Sequence, residues 1–154
     1  MTNSKFIIVL FSLIFLIYAC GKEKMKDNED KLSNFQIHFG SFGGLCGYSD
    51  SLTVSSTLEL YFAQRNICSE IDIEKNETIS KDQLSALISS VDLDQFDDLD
   101  FNSCDRCFDG IDTYINIESP EYRHRIQYGS GDNISSIISF IDKLNELRDD
   151  YREE

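Results

Sequence analysis

From Ser51 to Phe62 the apolar and polar side chains fall on opposite parities. Leu52, Val54, Leu58, Leu60 and Phe62 share one parity, and Ser51, Thr53, Ser55, Thr57 and Glu59 the other. Side chains alternate faces along a strand, so this pattern requires a pleated segment with one face in a core and the other in water. It predicts one long strand or, as the better reading, a hairpin turning at Ser55-Ser56-Thr57. Phe35 to Phe39 alternates in the same way. Ile111, Thr113, Ile115 and Ile117 form another inward set. Beyond a turn at Ser119-Pro120, Tyr122, His124, Ile126 and Tyr128 form a further one, with Arg123, Arg125 and Gln127 outward. Hairpins imply antiparallel pairing.

Two segments break this period. Ser80-Lys81-Asp82-Gln83 is a capping box, in which Ser80 and Gln83 satisfy orphan amides at a helix start, and Ile79 is placed to staple to Leu84. Leu84, Leu87, Ile88 and Val91 then fall on one helical face. In the acidic run 92–100, Leu93, Phe96 and Leu99 are expected inward. After Gly129-Ser130-Gly131, Asp132 is expected to cap a last helix with a stripe of Ile134, Ile137, Ile138, Ile141 and Leu144. Residues 63–79 read as a loop around Cys68. The expected fold is α+β: an antiparallel sheet in the order β-β-β-α-β-β-α, with two helices packed on one face. Residues 34–150 form a single domain in this reading, long enough for a real core.

The chain begins differently. Lys5 precedes an apolar run from Phe6 to Tyr18 that is shorter than the roughly 20 residues of a membrane span and suits the hydrophobic region of an export signal. The run ends in Ile17-Tyr18-Ala19-Cys20 and turns at once to Gly21-Lys22-Glu23. This boundary resembles the lipobox of bacterial lipoproteins. The resemblance implies cleavage of residues 1–19 as a signal peptide and acylation of Cys20, whose lipid holds the protein at a membrane surface. Residues 20–33 then form the acylated cysteine and a charged, flexible tether.

The net charge of the whole chain is −14. Losing residues 1–19 removes one lysine and no acid, so the mature chain is more acidic still. Such a chain repels phosphate backbones, which argues against a nucleic-acid partner. It also stays off anionic head groups except through its lipid.

Phe42-Gly43-Gly44-Leu45-Cys46-Gly47-Tyr48, the capped helix near 80–91, and Cys104-Asp105-Arg106-Cys107-Phe108-Asp109-Gly110 together carry a family likeness. They resemble a group of small Bacteroidetes lipoproteins of unknown function, which pair a glycine-rich cysteine turn with a later CxxCxDG. Ser49 departs from that group, whose members often carry a second cysteine there. The element order is also similar, more loosely, to emfourin-type metalloprotease inhibitor domains. The likeness to the lipoprotein group implies a cell-envelope location, lipid-anchored at the outer membrane in its periplasmic or surface leaflet. Charged residues just past the cysteine can direct such lipoproteins to the cell surface.

Four cysteines remain beside Cys20: Cys46, Cys68, Cys104 and Cys107. An exported protein meets an oxidising space, so two structural disulfides are expected, and three pairings are open. Cys104–Cys107 closes a short loop worth roughly 2 kcal/mol, and a bond from Cys46 to either closes a long one worth roughly 4 kcal/mol. Cys68 can reach either region. A zinc site is disfavoured, because structural sites show two close cysteine pairs. Thiol-redox catalysis is disfavoured too, because the CxxC runs into a strand rather than opening a helix. Gly40, Gly43, Gly44 and Gly47 lack the lysine and helix of a phosphate loop. Asp105, Asp109 and Asp112 lack calcium-loop spacing. His38 and His124 sit in strands, one outward and one inward, without a catalytic motif around them.

The expectation is therefore a membrane-anchored lipoprotein without catalytic residues, cofactor or metal. It acts as a binding or interaction module at the cell envelope, on a partner that is an envelope or extracellular protein, with Phe42 and Tyr48 in the glycine turn as its contacts. The alternatives are an inhibitor of an extracellular peptidase, using Phe42 to Tyr48 as a wedge, and a thiol-redox protein using the CxxC.

Overall fold

The computed structural model describes residues 34–152. The expected signal peptide, Cys20 and the tether lie outside the described residues. The elements, in order, are β1 (Gln36–Gly43), β2 (Tyr48–Ser55), β3 (Glu59–Asn66), β4 (Ile71–Thr78), α1 (Lys81–Ser90), α2 (Leu93–Asp97), β5 (Ile111–Glu118), β6 (Arg123–Tyr128) and α3 (Ile138–Asp149), with short 3-10 turns at Asp105–Phe108 and Ser135–Ile137. The six strands form one sheet in the order β4-β3-β2-β1-β5-β6, antiparallel throughout. The fold is α+β.

The parity pattern decides which face is covered. Ile37, Phe39, Leu52, Val54, Leu60, Phe62, Ile115, Ile117, Ile126 and Tyr128 are buried on one side, in a single cluster with Leu87, Val91, Leu93, Phe96, Phe140, Ile141, Leu144 and Leu147 from the helices. The Phe96 ring meets Phe140 edge-on at 6.3 Å, and meets His124 in the same way at 5.1 Å. The capping box at Ser80 and Gln83 forms as its sequence requires. The β2–β3 hairpin turns at Ser55 to Leu58, with Leu58 in the left-handed region at φ 69°.

Three expectations are corrected. Residues 63–79 are not a loop: the alternation of β3 runs on through Gln64, and Ile71–Thr78 returns as an edge strand. Its inner positions are Ile71, Ile73, Lys75 and Glu77, a mixed set with weak apolar periodicity. Lys75 lies there because its ammonium donates to the carbonyl of Tyr151 at 2.9 Å. Asp132 does not cap α3; its carboxylate accepts from the Gly129 amide at 2.9 Å, and the helix is entered through the 3-10 turn at Ser135–Ile137. Ile138 faces solvent, and Phe140 takes the inward place expected of it.

Gly40 shows how tightly the centre is built. A Cβ there meets the Asp50 carbonyl and comes within 2.9 Å of the Tyr114 hydroxyl, because the Tyr114 ring lies across β1 at this point.

Candidate functional site

Antiparallel hairpins bring the β1–β2 turn, the β3–β4 turn, the start of β5 and the end of β6 to the same end of the sheet. Residue 34, where the described chain begins, lies at the other end. In the β1–β2 turn Gly43, Gly44 and Gly47 take positive φ. Gly43 admits no side chain, since a Cβ is blocked by the Gly110 carbonyl and lies 3.2 Å from Arg106 Cβ.

Both disulfides act at this end. Cys46–Cys68 ties the β1–β2 turn to the β3–β4 turn, and Cys104–Cys107 closes the 3-10 turn before β5. Backbone bonds support them: Ile67 N–H to the Cys46 carbonyl at 3.1 Å and Gly44 N–H to the Gly110 carbonyl at 3.0 Å. Asn66 Oδ1 accepts from Cys68 N–H at 3.1 Å. The fully buried carboxylate of Asp112 accepts from Asp105 N–H at 2.7 Å and from Gln127 Nε2 at 3.4 Å. Asp105 in turn accepts from the amide and hydroxyl of Ser130 at 2.9 and 3.1 Å. The β1–β2 turn, the β3–β4 turn, the segment before β5 and the segment after β6 are thereby locked to one another.

What they present is apolar. Leu45 is 87% exposed, Ile67 72%, Phe108 89% and Ile111 48%. Of the five large hydrophobic side chains exposed among the described residues, only Ile138 lies elsewhere. Exposed apolar groups gathered in one place mark contact surfaces. The sequence carried a signal for this tip. Leu45 precedes Cys46, Ile67 precedes Cys68 and Phe108 follows Cys107, so each disulfide-bonded turn has a large apolar residue beside its cysteine.

Phe42 and Tyr48 flank the tip rather than forming it. Phe42 is half-buried in β1, with the Arg106 guanidinium 4.8 Å over its ring and Tyr114 at 5.9 Å. Tyr48 is half-buried in β2, and its hydroxyl donates to Asp50. Beneath it lies a buried polar cluster that carries no local sequence signal. Asp50 accepts from Ser41 N–H at 2.8 Å and lies 3.4 Å from Arg148 Nη1 of α3. Arg148 also donates to Asn145 at 2.7 Å and covers the Phe39 ring at 5.0 Å.

Chemically, the described residues are poor in reactive groups. All four cysteines among the described residues are disulfide-bonded. Among the described residues no three His, Cys, Asp or Glu side chains gather as a metal site requires. His38 bonds Thr53 Oγ1 at 3.0 Å and lies 3.5 Å from Glu118, an order of groups that matches nucleophile, base and acid. The three lie on central strands whose backbone amides are spent in the ladder, so the main chain offers no donor there for an oxyanion. His124 faces inward and bonds the Leu99 carbonyl at 2.9 Å.

Tyrosines are the groups whose titration the fold shifts most. Burial pushes Tyr128 up to about 12. Burial, then hydrogen bonding to Asp50, raises Tyr48 well above its ordinary value, and burial, then bonding to Asp97, does the same for Tyr122. Burial raises Tyr114 and Tyr151 as well. A phenol with a raised folded pKa keeps its proton while the unfolded chain loses it. Stability is therefore full below about pH 10, the ordinary tyrosine value, and falls as pH climbs from there through 12. Phenolate absorbance of the folded protein is expected to lag behind that of the denatured chain over this range. Coincident titration curves contradict the packing described for these rings.

No family model matches the chain, and no curated protein is significantly similar to it.

Proposed function

We propose that this protein is a lipid-anchored, non-catalytic binding module of the bacterial cell envelope. It is held at the outer membrane by acyl chains on Cys20 and makes contact with an envelope or extracellular protein through its apolar tip. The observation that carries this reading is that Leu45, Ile67 and Phe108 project from three different connections, each beside a disulfide cysteine. A surface fixed in this way loses little conformational freedom on docking, and preorganisation of that kind turns modest contact area into affinity. The tip is at the end of the sheet opposite residue 34, so a partner approaching it does not meet the entry of the tether. The Ala19-Cys20 boundary and the resemblance to small Bacteroidetes lipoproteins support the anchor. The spent strand amides around His38 support a role without catalysis.

The test is photo-cross-linking in intact cells, with a photoreactive residue at Phe108 or Leu45 and a control at Glu121 in the β5–β6 turn. The tip positions are expected to yield a discrete protein adduct that the control does not. Labelling of lipid alone, or equal labelling from both ends, sinks the reading. One observation favours a second reading, inhibition of an extracellular peptidase: the stapled β1–β2 turn carries Leu45 at its apex, the form of a wedge that enters a cleft. In that case Leu45→Ser abolishes inhibition of the peptidase found in the adduct.

A further inference from the structure

The sheet face away from the helices carries two clefts laid end to end. The even-numbered residues of β1 and their ladder partners point to this face. One cleft, of about 260 Å³, has Ser49 and Ser51 of β2 in its lining; the other, of about 570 Å³, has Thr53 and Ser55. These four hydroxyl residues follow one another along one side of β2, so the clefts form a single track on that strand. Its length is about 20 Å, at a rise of roughly 3.4 Å per residue. Phe42 and Tyr114 border the half nearer the tip, with Arg65 and Glu74 across from them. In the half nearer residue 34, Tyr61 stands between Thr53 and Asn76 in one row of the ladder.

We infer that this track binds a neutral, linear oligosaccharide, with Tyr61 as the ring under a sugar and Gln36 and Asn76 as its hydrogen-bonding partners. The first argument is charge. The whole chain carries −14, yet opposite charges on this face lie side by side. Arg65 is 3.3 Å from Asp72, and Glu118 is 3.3 Å from Arg123 and 3.5 Å from His38. Glu59 and Glu74 remain in the track, and they repel polyanions. An uncharged, polar ligand complements such a surface.

The second argument is unspent hydrogen bonding. Among the described residues no side chain bonds the Tyr61 hydroxyl or the carboxamides of Gln36 and Asn76. A carboxamide presents a donor and an acceptor side by side, which matches neighbouring sugar hydroxyls. The third is the ring. Guanidiniums cover Phe42 at 4.8 Å and Tyr114 at 4.7 Å, and no cation covers Tyr61 among the described residues. An open aromatic face is electron-rich and suits the C–H side of a pyranose. Pockets for small ligands run from about 300 to 1,000 Å³, so the larger cleft holds a sugar unit and the track extends it. An extended peptide fits less well. Peptides gain affinity by pairing with a free strand edge, and β2 is already paired on both sides. The track rests on neither the anchor nor the tip.

The test is isothermal titration of the full chain, extracted from membranes in a detergent without a sugar head group, or taken from the soluble fraction if the protein is not acylated. The probes are maltotetraose, cellotetraose, laminaritetraose, mannotetraose and xylotetraose, with tetraalanine as the contrasting peptide. At least one sugar is expected to bind. Tyr61→Ala and Asn76→Ala are each expected to weaken that binding about tenfold, and Glu121→Ala, in the β5–β6 turn, to leave it unchanged. Circular dichroism checks each fold; Asn76 is exposed on the edge strand, so its variant carries the test should Tyr61→Ala misfold. Binding of none of the sugars overturns the inference. So does sugar binding that the folded variants leave intact. Binding of tetraalanine alone assigns the track to peptide and overturns it as well.

Discussion

Replacing Arg148 by alanine is expected to cost the domain about 3–5 kcal/mol, the scale for removing one partner of a buried ion pair. The Asp50 carboxylate is fully enclosed and the Arg148 side chain only 11% exposed. Asp50 keeps its bonds from Ser41 N–H and Tyr48 when the guanidinium leaves, but it loses its cation and the cover over Phe39. Arg148→Met restores bulk without charge, so it is expected to recover only the packing part. Adding Asp50→Asn to Arg148→Met removes the orphaned charge and is expected to regain much of the loss. Denaturant unfolding reads all three. A loss below about 1 kcal/mol for Arg148→Ala, as for an exposed pair, contradicts a buried one. Small domains hold about 5–15 kcal/mol in all, so a loss of this size is a large share of the total.

The second large effect is expected at Cys46–Cys68. Serine at both positions opens a loop of sequence separation 22 and is expected to cost about 3 kcal/mol by loop entropy. Serine at Cys104 and Cys107, separation 3, is expected to cost about 2 kcal/mol at most. Thermal unfolding of the two double variants ranks them. The reverse order means that the bonds act through native contacts rather than through the unfolded chain. The first variant also frees the β1–β2 turn from the β3–β4 turn, so tip contacts are expected to weaken even where the domain stays folded.

Strands with one apolar parity were legible in the sequence, and so was the Ser80 cap, because each signal is local and repeated. β4 was not. An edge strand contacts the core with few residues, and its inner side mixes Ile71 and Ile73 with Lys75 and Glu77. The missing strand also hid the cysteine pairing, since only the β3–β4 hairpin carries Cys68 back to Cys46. Asp132 fits the pattern of a cap, yet a nearer amide, that of Gly129, takes its carboxylate. Asp50 and Arg148 carry no local pattern at all; tertiary packing alone brings them together. Phe42 and Tyr48 are aromatic residues beside a glycine turn, a pattern that suggests contact residues, but both are half-buried against neighbours, and the most exposed apolar groups at this end are Leu45, Ile67 and Phe108.

The most direct measurement is the intact mass of the protein taken from its native membranes and alkylated without reduction. The expected result is a chain that begins at Cys20, carries acyl chains, and has Cys46, Cys68, Cys104 and Cys107 unalkylated. A chain that begins elsewhere and bears no lipid removes the anchor, and alkylation of those four cysteines removes the stapled tip on which the proposed binding role depends.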